Sequence, residues 1–368
     1  MPNTHRASNA PRARHAPSVV GAHHGMHMLD AVRIAGYNLE VRDGDDFVGD
    51  RASQTAFRAT LEDWRQRHRA RGRSDPFGAK ASKALSKKRL DKALCATPST
   101  EAGDLVRGAI EDFALELTHV IQRFMRQKSW QGVQRIVVGG GFPESEVGER
   151  AILQAAALCQ VQELPVQLGR ICHDTDDAGL IGWVHLAPAH FVEHCDALLA
   201  LDIGGTNVRC GVVRLRRDKA RDLSRADVVW RDKWRHADDK PSRTALVDRL
   251  AKLLCKGVAY AERKELRLAP FVGIACPGLI REDGTIARGT QNLPGDWESD
   301  TFHLPTALRE RLPVIDKAPV QVLMHNDAVV QGLSELPFMQ DVKRWAVLTI
   351  GTGLGNASYV NAPRRRGG

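Results

Sequence analysis

Six short segments of this 368-residue chain combine residue types that could do chemistry. In Asp202-Ile203-Gly204-Gly205-Thr206-Asn207 an acid is followed by two glycines, a hydroxyl and an amide. Paired glycines at a sharp turn let the backbone approach an anion without Cβ clashes, and successive N–H groups can form a nest for phosphate. The carboxylate of Asp202 could hold a hydrated Mg2+. No GKS or GKT follows, so this is not a Walker loop. Gly351-Thr352-Gly353-Leu354-Gly355 again suits close backbone approach, and Gly139-Gly140-Gly141 leaves room for a flat base or ribose. In His325-Asn326-Asp327-Ala328, Asp327 has an unperturbed pKa of about 4, is ionised at neutral pH and can accept a proton. Asn326 could hydrogen-bond a hydroxyl substrate and hold it in line. Cys276-Pro277-Gly278 and Asn292-Leu293-Pro294-Gly295-Asp296-Trp297 read as rigid turns, the second adding an amide and an indole of the kind found beside sugars.

Taken singly, each segment has a plainer account: a glycine hairpin, a loop that needs positive φ, a helix N-cap, a proline turn. Their combination carries the argument, and the elements around them place all but Asn292–Trp297 at a strand end. Apolar runs at 135–138, 197–201, 271–276, 320–324 and 345–350 predict buried strands, with a further strand at 208–215. Helical spacing of Val106, Ile110, Phe113, Leu117, Val120, Ile121 and Phe124 predicts a helix over about 104–128. Others are expected over 52–70, 146–159 and 242–264, and one starting at Asp176 and Asp177, where carboxylates favour a helix start. Strands alternating with helices make the fold class α/β.

At roughly 100–200 residues per domain the length implies two or three domains with a substantial core. Apolar residues at 43% and charged residues at 26% exclude a wholly disordered or collagen-like chain. No apolar run approaches the roughly 20 residues of a membrane span, so no membrane partner is expected. Residues 1–28 lack the apolar segment of a secretory signal and read as a disordered leader. Seven scattered cysteines without a CxxC pair suit free thiols in a reducing cytoplasm. The net charge of +9 is concentrated in residues 1–100, which hold 18 basic and 10 acidic residues, chiefly between Arg65 and Lys92. With few aromatics and no DNA-binding motif, that stretch is read as a solvated helix and linker rather than a nucleic-acid arm, with 71–100 as a long basic insertion.

Together the motifs resemble the ROK sugar kinases, members of the larger group of sugar kinases, actins and chaperone ATPases. DIGGTN looks like the family's first phosphate motif, and TIGTGLG like its second. HNDA is similar to the catalytic segment, and CPG with NLPGDW to the mid-lobe segment. RIVVGGG and DDAGLIG resemble the adenosine region and the closing helix. The resemblance covers most of 104–360 and implies a two-lobed actin-like ATPase (ribonuclease H-like) fold, ATP and Mg2+ as cofactors, and a glucokinase-like transfer of phosphate to a hexose. It implies Asp327 as general base and Asn326, Asn292 and Gly278 at the sugar. Asp202, Gly204, Gly205, Thr206, Asn207, Gly351, Thr352, Gly353, Gly139, Gly140 and Gly141 would then surround ATP, with Asp202 positioning Mg2+ through water. A homodimer is suggested by the family only.

Two features depart from the family. There the first phosphate motif opens the chain and GGG with AGLIG closes it. Here GGG (139–141) and AGLIG (178–182) precede DIGGTN (202–207), the pattern of a circular permutation. Residues 183–196 would join the old ends. The family's Glu-x-Gly-His element and zinc cysteines should fall near 29–60, where neither a matching His nor a Cys cluster occurs, so no zinc is expected. Asn38 or Glu40 would have to supply the sugar contact. The expected lobes are 176–337, with the first phosphate motif and the catalytic segment, and 29–175 with 338–368 on the nucleotide side. The competing readings are a non-catalytic sugar-sensing regulator on this scaffold and a kinase for an amino sugar or other polyol.

Overall fold

The computed structural model describes residues 23–363. In chain order its main strands are β1 (Val32–Tyr37), β2 (Arg135–Gly139), β3 (Gln167–Arg170), β4 (Ala197–Ile203) and β5 (Val208–Arg214). They continue with β6 (Asp227–Trp234), β7 (Leu268–Cys276), β8 (Gln321–Asn326), β9 (Arg344–Ile350) and β10 (Leu354–Asn361). These form two five-stranded sheets, ordered β1-β10-β9-β2-β3 and β6-β5-β4-β7-β8. In each, three antiparallel strands are followed by two that run parallel to the third. The antiparallel three of the second sheet are consecutive in sequence: β4, β5 and β6. Those of the first are β9, β10 and, from the other end of the chain, β1. At that seam Val32 pairs with Asn361, and the Ala362 N–H donates to the Ala31 carbonyl at 2.9 Å.

The strands legible in the sequence are the ones buried on both faces. All seven residues of β4 are buried, as expected of a central strand covered on both sides. Strands β3 and β6 lie at sheet edges and bury no residue completely; β3 is polar, and β6 offers only the short run Val228-Val229-Trp230.

Helices α1 (Gln54–Ala70), α2 (Lys87–Leu94), α3 (Glu101–Met125) and α4 (Glu146–Val161) cover the outer face of the first sheet and share one apolar core with it. Their N-caps Ser53, Ser86, Thr100 and Ser145 each accept a backbone N–H, which satisfies a donor that the helix itself leaves open. Helices α6 (Arg243–Arg263) and α7 (Leu304–Arg311) cover the outer face of the second sheet. Two short helices, α5 (Thr175–Ile181) and α8 (Asp327–Leu333), join a core to which both sheets contribute. Gly182, at the end of α5, lets the two helices approach: a Cβ there would collide with the Val330 carbonyl.

Two expectations change. Residues 1–22 of the expected leader lie outside the described residues, but 23–28 pack against the second sheet. The Gly25 N–H donates to the Met324 carbonyl at 3.0 Å, and Met26 is buried. The basic stretch is not simply solvated. Arg65 is 1% exposed and bonded to Asp75, Glu62, the Ser82 hydroxyl and the Gly78 carbonyl. With every donor direction answered, this guanidinium folds 75–82 back onto α1, and Phe77, Leu85 and Leu90 join the core. Among the described residues, no helix is long and apolar enough to cross a membrane.

Candidate active site

Between the sheets lies a cavity of about 1370 Å³. That exceeds the 300–1,000 Å³ usual for one small ligand, so two can share it. Its walls bring together the sequence-singled segments from four places: Asp202, Gly204, Gly205, Thr206 and Asn207 from the β4–β5 turn, Gly278 and Asn292 after β7, Asp327 at the head of α8, and Gly351, Thr352 and Gly353 from the β9–β10 turn. Gly140 and Gly141 line it from the end of β2.

Two of the singled-out residues do not line it. Gly139 is covered by the Gln331 side chain, whose Oε1 lies 2.5 Å from where a Cβ would sit. Asn326 is buried and serves as the N-cap of α8. Its Oδ1 accepts from the N–H groups of Ala328 and Val329, and its Nδ2 donates to the Gly278 carbonyl at 3.0 Å. From the sequence Asn326 is expected to orient a substrate; here its Oδ1 and one Nδ2 hydrogen hold α8 and the Pro277-Gly278 turn in place.

The glycines divide by purpose. Gly140 has φ +83°, and a Cβ there would stand 2.6 Å from the Ile350 carbonyl, so the backbone of β2 can touch that of β9 only through glycine. Gly204, Gly205, Gly351 and Gly353 are not among the positive-φ residues, and around Gly353 a Cβ would meet nothing within 4 Å. These turns keep side chains out of the cavity rather than satisfy a strained backbone. The first turn is closed by Gly204 N–H to Asn207 carbonyl at 2.9 Å and braced by the buried His236, whose Nε2 meets the Gly204 carbonyl at 2.8 Å.

Strand β8 delivers Asp327. Its neighbour His325 is buried, and burial pulls its pKa down to about 4, so the ring is neutral. Nε2 meets the Met26 carbonyl at 2.9 Å and Nδ1 accepts the Asn326 N–H at 2.7 Å, which fixes the tautomer. Asp327 itself has no cation partner among the described residues. Burial and the nearby Asp202 carboxylate push its pKa up to about 6, against the Ala328 N–H that donates to it at 2.9 Å.

Asp202 is compensated. Arg209 Nη1 lies 2.9 Å from its carboxylate, and Arg209 Nε lies 2.5 Å from Asp176, which Lys233 also holds at 2.7 Å. Burial still leaves the Asp202 pKa raised, with Arg209 opposing. Among the described residues, no group of three or more His, Cys, Asp and Glu side chains could hold a metal ion. A hydrated Mg2+ needs only one or two carboxylates beside phosphate oxygens, and the repulsion between Asp202 and Asp327 is what such a cation relieves; the residues fit it.

Sequence reasoning missed Arg209, Gln331, Arg58, Lys83, Lys87, Lys233 and Arg235, all in the cavity wall. Arg209 carries a signal, a lone charge inside the buried strand Val-Arg-Cys-Gly-Val-Val. So does Gln331, a polar residue in an apolar helix four positions after Asp327. Of the two proposed sugar contacts, Asn38 lines the cavity, whereas Glu40 pairs with Arg288 at 2.7 Å.

The model of the ROK family matches residues 198–368, which hold DIGGTN, HNDA and GTGLG. That matched segment makes up just under half of the chain. The two sheets repeat one strand order, which agrees with the two-lobed, actin-like ATPase fold that the motif resemblance implies. Similar solved structures include a candidate sugar kinase of Cytophaga hutchinsonii, 22% identical over 47% of this chain and 50% of that one, with TM-score 0.34. A candidate N-acetylmannosamine kinase of Listeria monocytogenes is 26% identical over 47% and 50%, with TM-score 0.31. A ROK glucokinase of Streptomyces griseus, solved with glucose and AMPPNP, is 23% identical over 47% of each chain, with TM-score 0.33. The matched region thus spans about half the length of these proteins. No curated protein matches the chain.

Proposed function

We propose that this protein is a ROK-type kinase, which transfers the terminal phosphoryl group of ATP to a sugar hydroxyl. The observation that carries the reading is Asp327: a carboxylate without a counter-cation, in a cavity where three glycine-rich segments converge. Asp327 accepts the proton of the attacking hydroxyl as its oxygen bonds to the γ-phosphorus; the bond to the β–γ bridging oxygen breaks, and ADP leaves. Such a transfer depends on alignment and charge neutralisation more than on covalent help. Bound Mg2+, held through water by Asp202, supplies charge neutralisation on the phosphates.

In this reading the turns at 204–207 and 351–353 cradle the phosphates and Gly140-Gly141 flanks the adenosine. Asn292, Gly278 and Asn38 meet the sugar, with a hexose as the first substrate to try. The lobes are 29–175 with 338–368, and 176–337, and they close about α8. We further propose a circular permutation, supported by the join of β10 to β1 in the first sheet. The regulator alternative predicts DNA retention in a gel shift and no ADP release.

The test is ADP release across a panel of hexoses, N-acetylated amino sugars and polyols, with Asp327→Asn beside the wild type. Sugar-dependent ADP release that the variant lacks supports the reading. An equally active variant would remove Asp327 as base, and no sugar-dependent release from the wild type would remove the kinase.

A further inference from the structure

Most cations of the cavity wall are already answered. Arg209 and Lys233 hold Asp202 and Asp176, Lys87 lies 3.0 Å from Glu144, and Arg235 lies 2.9 Å from Asp238. Arg58 and Lys83 are different: among the described residues neither has a carboxylate at ion-pair distance. Arg58 is half-buried, and its one hydrogen bond reaches the Ser82 carbonyl at 3.5 Å. Burial pulls its pKa below the usual arginine value, with only a longer-range attraction from Asp91 opposing. A guanidinium desolvated without an acid is costly, and an arriving anion offsets that cost.

Both cations are held in place. Arg58 stands one turn into α1, whose start is fastened to the β9–β10 turn. The Gln54 N–H donates to the Gly351 carbonyl at 2.8 Å, and the Thr55 hydroxyl to the Thr352 carbonyl at 2.7 Å. Lys83 sits in a short helical turn, Ser82–Ala84, tied to α1 by Ser82 N–H to Glu62 at 2.9 Å and by Arg65 to the Ser82 hydroxyl at 2.9 Å. The first turn of α1 holds no acidic residue that would compete for either cation.

We propose that Arg58 and Lys83 form a phosphate-chain site, holding the oxyanions of a linear triphosphate group against the 351–353 turn. The inference rests on the phosphoryl-transfer reading for its biological meaning, but not for its test. The forked guanidinium grips two oxygens, while the ammonium adds a compact point charge beside them. Such chemistry belongs to a nucleoside triphosphate or to inorganic polyphosphate.

Binding of ATP and of inorganic tripolyphosphate to the full chain, measured by calorimetry at two salt concentrations, tests it. Arg58→Met is expected to weaken both ligands about tenfold or more, the loss of a charge-assisted contact. Lys83→Met should weaken them several-fold, and Arg58→Lys should fall between wild type and Arg58→Met. ATP held more tightly than tripolyphosphate, with equal dependence on Arg58, identifies a nucleotide as the natural ligand. Equal affinities identify the bare phosphate chain. Should Arg58→Met not fold, Arg58→Lys and Lys83→Met carry the test. Variants that bind both ligands as the wild type does, or a wild type that binds neither, overturn the site. Arg58-dependent binding without phosphoryl transfer to any sugar leaves the site standing and removes the kinase reading.

Discussion

Asp202 and Asp327 line the same cavity from strands separated by one, yet only Asp202 has a counter-charge, with Arg209 2.9 Å from its carboxylate. The asymmetry assigns them different work. Asp202 is tied into a network, whereas Asp327 keeps a carboxylate free to take a proton and carries the raised pKa of about 6.

Asp327→Asn should lower kcat by about 10²–10⁴, the usual worth of a positioned general base, while nucleotide affinity changes little. The same variant should be more stable. A carboxyl whose folded pKa lies above its unfolded value binds its proton more tightly when folded, so ionising it at neutral pH weakens the fold. Removing that charge should raise stability at pH 7 by on the order of 2 kcal/mol, read as a higher Tm. A lower Tm would mean that the carboxylate is a structural member.

The pH dependence follows with its sign. Activity requires ionised Asp327, so kcat/KM should decline as pH falls through about 6, in an otherwise level profile up to neutrality. Its contribution to stability runs the other way: full below the unfolded value near 4 and diminishing as pH rises through about 6. A profile in which activity falls only below pH 4 would show that Asp327 does not titrate in this environment.

Arg209→Met removes the cation between Asp202 and Asp176. Stranding Asp202, which is 7% exposed, and leaving Asp176 with Lys233 alone should cost about 3 kcal/mol of stability at pH 7. The loss should shrink as pH falls and Asp202, already raised by burial, takes a proton. Adding Asp202→Asn should restore part of the loss, with a coupling of about 1–3 kcal/mol in the double-variant cycle. Additive losses would mean that the pair does not interact energetically.

How much of this was legible follows from burial. The central strands other than β10, whose buried Asn356 and Ser358 break the pattern, the long helix α3 and the glycine turns announce themselves because burial on both faces or one stripe leaves an apolar pattern. Edge strand β3 leaves none, and β6 leaves only Val228-Val229-Trp230. Asn326 illustrates a limit: an amide beside a carboxylate reads equally as ligand or cap, and only the hydrogen bonds to Ala328, Val329 and the Gly278 carbonyl decide. Arg65 illustrates another. Nothing local marks one arginine among many as buried, because its partners Asp75 and Ser82 come from a segment that looks solvated. Arg58 has no local mark either.

Gly139→Ala tests packing behind Gln331, which lines the cavity. The new Cβ would stand 2.5 Å from Gln331 Oε1, a buried oxygen without a partner among the described residues, so Gln331 must move. Overpacking of this kind costs about 1–3 kcal/mol. Gln331→Ala on the same chain should recover most of it, because the obstructing group is gone. If the double variant is no more stable than Gly139→Ala, the strain lies in the β2 backbone instead.

The proposed permutation makes a topological prediction. Asn361 and Val32 are paired neighbours on antiparallel strands, so the seam has the geometry of an uncut hairpin. A chain in which a short turn joins Asn361 to Val32, omitting 1–31 and 362–368, and new ends open within 188–196, would place β9, β10 and β1 in consecutive order. It should fold with the same far-UV spectrum and retain sugar-dependent ADP release. It gives up the contacts of Gly25 and Met26 with β8, including the Met26 carbonyl that meets His325. A modest loss of Tm is therefore expected, recoverable by appending 23–29 to the new turn. Failure of both relinked chains to fold, with the wild type folding under the same conditions, would mean that the 183–196 connection is integral to the architecture rather than a join between former ends.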